Sequence, residues 1–162
     1  MILSFTSHLK KIKIYLFSLT LSVLLISNLI ASDQVAKFLS AGHYHSLALK
    51  SDGTVVGWGP NSYGQLNVPE ELDSVIGIAA GRYHSLALKS DGTVVGWGYG
   101  QVNVPEGLDS VIRIAAGRYH SLALKSDSTV VGWGSNSSGQ LNIPQGLDSV
   151  IVIAAGDYHS LA

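Results

Sequence analysis

The chain has 162 residues, is 46% apolar, and carries 10 basic and 11 acidic residues for a formal net charge of −1. A chain of this size and apolar content can bury roughly two-thirds of its extended surface, which excludes an intrinsically disordered protein. It has no cysteine, so disulfide frameworks, thiolate zinc sites, thiol nucleophiles and a lipid-modified cysteine anchor are all excluded.

Residues 1–13 hold Lys10, Lys11 and Lys13 and no acid, Ile14 to Ile30 is mostly apolar, and Ala31, Ser32 and Asp33 follow. This basic, apolar, small-residue order predicts an export signal over residues 1–32, cleaved after Ala31 or Ser32. An uncleaved membrane anchor is the alternative, because the apolar run is about as long as the shortest bilayer span. Ser18, Thr20, Ser22, Ser27 and Asn28 interrupt the run and favour cleavage. Removing the segment leaves seven basic against eleven acidic residues, a net of −4, which argues against nucleic acid as a partner. The expected location is secreted, periplasmic or cell-surface, with membrane attachment only through an uncleaved N-terminal segment.

From residue 36 onward the sequence repeats itself. Gly42, Gly81, Gly117 and Gly156 recur at intervals of 39, 36 and 39, and His45, His84, His120 and His159 keep the same spacing. The units run over about 36–74, 75–110, 111–149 and, partially, 150–162. Within a unit, Val75 to Ala80 is an apolar run and His84 to Lys89 alternates with period two, so both predict strands. Ser90-Asp91-Gly92 supplies a tight hairpin turn, Thr93 to Trp97 a third strand, and Gln101 to Val104 a short fourth, ended by Pro105. Several glycines per unit and the lack of a three-to-four spacing exclude helical repeats. Four antiparallel strands in about forty residues are a β-propeller blade; a β-helix is disfavoured by the Asp-Gly hairpin. The expected fold is all-β, with three full blades and part of a fourth.

The stretch Tyr-His-Ser-Leu-Ala-Leu-Lys-Ser-Asp-Gly-Thr-Val-Val-Gly-Trp-Gly, followed by Gly-Gln-Leu, closely resembles the repeat of the regulator of chromosome condensation family across residues 36–162. The resemblance implies four-stranded blades in a ring of about seven. It also implies either nucleotide exchange on a nuclear GTPase or, in secreted bacterial members, inhibition of β-lactamases. The export signal disfavours the first, and no residue transfers for the second. The chain departs from the family plan by holding three whole units, by a loop three residues shorter in the second, and by Ser128 at a turn glycine's place. The expectation is a fragment of a longer propeller, or a short protein that completes its ring by self-association through open blade edges.

His45, His84, His120 and His159 occupy one internal position in successive units, so they are read as structural hydrogen-bonding residues in preference to metal ligands. Ser46, Asp52 and His45 offer triad residue types, but adjacent side chains on a strand point to opposite faces. Trp58, Trp97 and Trp133 are expected to pack between blades and not to stack on a sugar or base. Gly57, Gly59 and Gly64 lack the lysine-serine or lysine-threonine pair of a phosphate loop, and Asp52 and Asp91 are turn formers without the other ligands of a calcium loop. No cofactor or metal is expected.

Differences between units concentrate just before each Tyr-His pair and in the loop after Trp-Gly. Connections alternate between the two edges of a meander, so both sets fall on one face. That face is the candidate partner-binding surface: His43, Tyr63, Arg82, Tyr99, Arg118, Asn136 and Asp157. The expected function is an exported, non-catalytic protein–protein interaction module whose partner is a protein. One alternative is a propeller lyase or hydrolase acting on polysaccharide, with Asp157 as the acid unique to one unit. The other is a self-assembling structural surface repeat.

Overall fold

The computed structural model describes residues 36–162; the export signal expected over residues 1–32 lies outside them. The described residues form antiparallel sheets in chain order. The first blade is β1 (Ala36–Ala41), β2 (Ser46–Lys50) and β3 (Val55–Trp58). The second is β4 (Val75–Ala80), β5 (His84–Lys89) and β6 (Val94–Gly98), and the third β7 (Val111–Ala116), β8 (His120–Lys125) and β9 (Val130–Gly134). A two-stranded sheet of β10 (Ala154–Ala155) and β11 (Ser160–Leu161) follows. Registers repeat from blade to blade: Leu47 faces Gly57, Leu86 faces Gly96 and Leu122 faces Gly132.

The Asp-Gly hairpins form as expected. The Asp91 carboxylate accepts from the Thr93 amide at 2.9 Å and the Thr93 hydroxyl at 2.6 Å, while Gly92 takes a φ of 82° that costs a glycine little. Ser128 adopts the same left-handed conformation, at a φ of 68°. Ser128→Gly should therefore stabilise the chain by about 0.5 kcal/mol, a strain relief of about 1 kcal/mol less the added unfolded-chain entropy. A rise in the urea midpoint at constant slope is the expected observation, and an unchanged or lower midpoint would contradict it.

The fourth strand expected around Gln101 to Val104 does not form, so the blades are three-stranded. The segment hydrogen-bonds to itself instead: the Gln101 amide donates to the Tyr99 carbonyl at 3.3 Å, and the Val104 amide to the Val102 carbonyl at 2.9 Å. Pro105 has no amide to extend a ladder. These turns still lie across the third strand, because a Cβ on Gly96 would sit 2.9 Å from the Val102 carbonyl and one on Gly57 2.7 Å from Leu66. Glycine at that place lets the segment close over the blade.

The core lies between blades. Leu47, Leu49 and Val55 of the first blade pack against Val75, Ala87 and Trp97 of the second. Leu86, Leu88 and Val94 meet Val111, Ala123 and Trp133 of the third in the same way. The second blade therefore buries both flanks, one against its predecessor and one against its successor, and the third packs its other flank on Val150 and Ile153.

Candidate functional site

The connection between the first and second strands of each blade is a tight turn. The Gly81 amide donates to the His84 carbonyl at 2.9 Å, and the Gly117 amide to that of His120 at 2.8 Å. The residue after the glycine then reaches the next blade: His43, Arg82 and Arg118 donate their amides to the carbonyls of Gly81, Gly117 and Gly156 at 3.2, 3.3 and 3.3 Å. Successive turns are thereby stitched into one row. Their side chains line a shallow depression of about 260 Å³ bounded by His43, Arg82, Arg118 and Asp157.

Below each turn lies a hydrogen-bonded relay between blades. Ser85 donates its hydroxyl to the Gln65 carbonyl at 2.8 Å, so His45 must donate from Nε2 to the Ser85 oxygen, 2.9 Å away. His84 meets Ser121 at 3.0 Å and His120 meets Ser160 at 3.0 Å. The Trp97 indole donates to the Gln65 carbonyl at 2.9 Å, and Trp133 to that of Gln101 at 3.0 Å. Burial, reinforced by His45 and His120, pushes the His84 imidazole down to about 4, and burial lowers His45 and His120 as well. These are neutral histidines fastening one blade to the next.

Above the row the arginines lie close to aromatic rings. The Arg82 guanidinium is 4.7 Å from the Tyr83 ring centre and 5.6 Å from those of Tyr44 and Tyr119; it donates to the Tyr119 hydroxyl at 3.1 Å and the Tyr44 hydroxyl at 3.3 Å. Arg118 is 5.1 Å from the Tyr119 ring centre, 5.0 Å from that of Tyr158, and within 3.4 Å of the Asp157 carboxylate. Burial raises the Tyr83 phenol despite the opposing pull of Arg82. Aromatic faces attract cations through the ring quadrupole, so the stack holds both guanidiniums in place.

The loops after the third strands extend this surface. Asn61 accepts the Leu66 amide and donates to Asn67, both at 2.8 Å, and the loop it shapes sets Tyr63 4.3 Å from Tyr83 and 5.7 Å from Tyr99. Tyr44, Tyr63 and Tyr83 enclose a notch of about 260 Å³ floored by Gln65. Of the residues expected on this face, His43, Arg82, Arg118 and Asp157 come together, Tyr63 joins through Tyr83, and Tyr99 joins through Tyr63. Asn136 does not: its side chain is spent within its own loop, accepting from Leu141 at 2.8 Å and donating to Asn142 at 2.9 Å. Comparing units for differences passed over Tyr44, Tyr83, Tyr119 and Tyr158, which are constant between units yet supply the rings on which the arginines rest.

The family model described as the regulator of chromosome condensation (RCC1) repeat matches residues 36–65, 75–103 and 111–140. The Homo sapiens Probable E3 ubiquitin-protein ligase HERC6 is 56% identical over 36 residues, 22% of this chain and 4% of that protein. Among solved structures, the CRINKLY WD40 ectodomain of the Arabidopsis thaliana receptor kinase ACR4 superposes with a TM-score of 0.64 and 27% identity over 79% of this chain and 45% of that chain. Yeast RCC1 (Prp20), solved bound to Kap60, gives a TM-score of 0.63 at 23% identity over 77% of this chain and 41% of that chain, a likeness of fold alone. The chain spans less than half the length of each.

Proposed function

The chain belongs to the regulator of chromosome condensation (RCC1) repeat family, and from that premise we propose that it is an exported, non-catalytic interaction module that presents its Arg82–Arg118 face to a protein partner. RCC1-type propellers are typically protein-interaction modules, and the yeast neighbours are described with Kap60 and with Gsp1p and histones. The observation that carries the proposal is the row of guanidiniums fixed on tyrosine rings. Tyr44, Tyr63, Tyr99 and Tyr158 remain 43–63% exposed around them. Tyrosine and arginine are the residue types that dominate interface energetics, and here both are held in place before any partner arrives.

The test uses a displayed library of random peptides selected on the wild-type chain. Binders should lose at least about tenfold in affinity, about 1.4 kcal/mol, on a folded R82A/Y99A/R118A variant, and nothing on Glu106→Lys at the opposite edge of the blades. Binders that keep full affinity for the triple variant would sink the proposed face. Export is tested separately: the chain recovered outside the cytoplasm should have a mass matching cleavage after Ala31 or Ser32.

A further inference from the structure

Two arginines hold the same place in successive blades and are paired differently. Arg118, in the turn of the third blade, meets the Asp157 carboxylate of the following turn at 3.4 Å. Arg82 is its counterpart one blade earlier, and the residue at Asp157's place in the turn that follows it is Arg118 itself. Among the described residues Arg82 therefore has no ion pair. Its contacts are the rings of Tyr44, Tyr83 and Tyr119 and the hydroxyls of Tyr44 and Tyr119. Those two bonds engage one hydrogen on each terminal nitrogen and leave the other for an acceptor, while each tyrosine hydroxyl, having accepted from arginine, still has its own proton to donate.

Charge is divided unevenly between the two edges of the blades. The Lys89 amine reaches Asp73 at 2.9 Å and the Ser90 amide donates to the Ser74 carbonyl at 2.9 Å, which puts the hairpin turns and the connections between blades on one edge. That edge holds nine of the ten acids of residues 36–162, with Asp52, Asp91 and Asp127 in the hairpins and the others in the connections, against Lys50, Lys89 and Lys125. The candidate face, at the opposite edge, holds Arg82, Arg118 and a single acid, Asp157. An anion approaching the domain is turned away from the first edge and drawn to the second.

We propose that this face takes an acidic peptide segment, with one carboxylate docked on Arg82 as Asp157 docks on Arg118; the proposal rests on reading the face as a protein-binding surface. The carboxylate accepts from the free Nη hydrogens of Arg82 and from the flanking Tyr44 and Tyr119 hydroxyls, charge-assisted bonds of the stronger kind. The rings already hold the guanidinium, so docking orders little side chain. A nucleic acid fits poorly: two arginines neutralise few phosphates, and the acids of the opposite edge repel the rest of a long polyanion.

Random displayed peptides selected on the whole wild-type chain test this. Their sequences should be enriched in aspartate and glutamate over the unselected library, and their binding should weaken as sodium chloride is raised. Arg82→Gln should weaken the selected peptides at least about tenfold. Asp157→Asn, which removes the carboxylate competing for Arg118, should tighten them about threefold. Asp157 is exposed, so its variant reads the charge without disturbing the fold, whereas Arg82 is half-buried against tyrosines and its variant is compared at an unchanged far-ultraviolet spectrum. Face-dependent binders with no excess of acids, or an Asp157→Asn variant that binds no more tightly than the wild type, would overturn the acidic-peptide proposal and leave the binding face standing. Binders indifferent to R82A/Y99A/R118A, or no binders at all, would overturn both readings. An oligothymidylate bound more tightly than the selected peptides would overturn the proposal in favour of a nucleic acid.

Discussion

Gly81→Ala should lower the unfolding free energy by about 3 kcal/mol, overpacking together with lost hydrogen bonds at a blade junction. A Cβ there would collide with Cε1 of the His84 ring and lie 2.7 Å from both His84 Nδ1 and the Gly117 carbonyl. Neither neighbour is free to move. His84 is held at Nε2 by Ser121 at 3.0 Å, and the Gly117 carbonyl receives the Arg82 amide at 3.3 Å. Relief of the clash must therefore break the relay, the turn stitch, or both, and the second and third blades separate at that point. The control is Gly77→Ala, where a Cβ would meet Leu88 at an ordinary 3.5 Å and Arg113 holds the corresponding place in the next blade. That variant should be neutral or slightly stabilising. Urea titrations of the two variants decide it: equal midpoints would refute the steric account.

The blade order and the hairpins were legible because their signals are local. Period-two alternation around Leu86 and Leu88 and the Asp-Gly turn each fit within a few residues, and β5 and its turn formed where expected. The third strand began one residue late, at Val94. The fourth strand was misread because Gln101 to Val104 alternates like a strand while its amides close turns on themselves, a choice set by loop geometry and not by residue type. The His–Ser relay was hidden for a different reason: neighbouring His84 and Ser85 do point apart, and each finds its partner in another blade, 37 and 40 residues away. Ser74, Ser110 and Ser149 take φ of 54°, 56° and 56°, which nothing in a serine announces. Variable positions mark His43, Arg82, Arg118 and Asp157, which line one depression, whereas the tyrosines against the arginines carry no such mark because a constant residue can serve both the blade and the surface. Trp58 carries the same lesson in reverse, since the residue type that packs between blades elsewhere is left uncovered on the first.

Acid should destabilise the described domain steeply between pH 6.5 and about 4. His84 is fully buried, donates to or accepts from Ser121, and has its folded pKa pushed from 6.5 down to about 4 by burial, then by His45 and His120. The unfolded chain therefore takes up the proton first as pH falls. The stability tied to this neutral imidazole is complete above pH 6.5, declines as pH drops towards 4, and is gone below it. For His84 alone that amounts to about 3 kcal/mol at most, and His45 and His120, also lowered by burial, add in the same direction. The Asp91 and Asp127 carboxylates, lowered from 3.8 by their threonine hydrogen bonds, act below this window and do not blur it. Because the relay sits directly beneath the Arg82 turn, its protonation would part the blades under the candidate binding face. Urea midpoints at pH 7.5, 5.5 and 4.5 should fall progressively, and His84→Gln, which keeps a side-chain donor but cannot titrate, should flatten the decline while starting from a lower value. Midpoints constant from pH 7.5 to 4.5, or a decline equally steep in His84→Gln, would show that the buried histidines do not control acid stability.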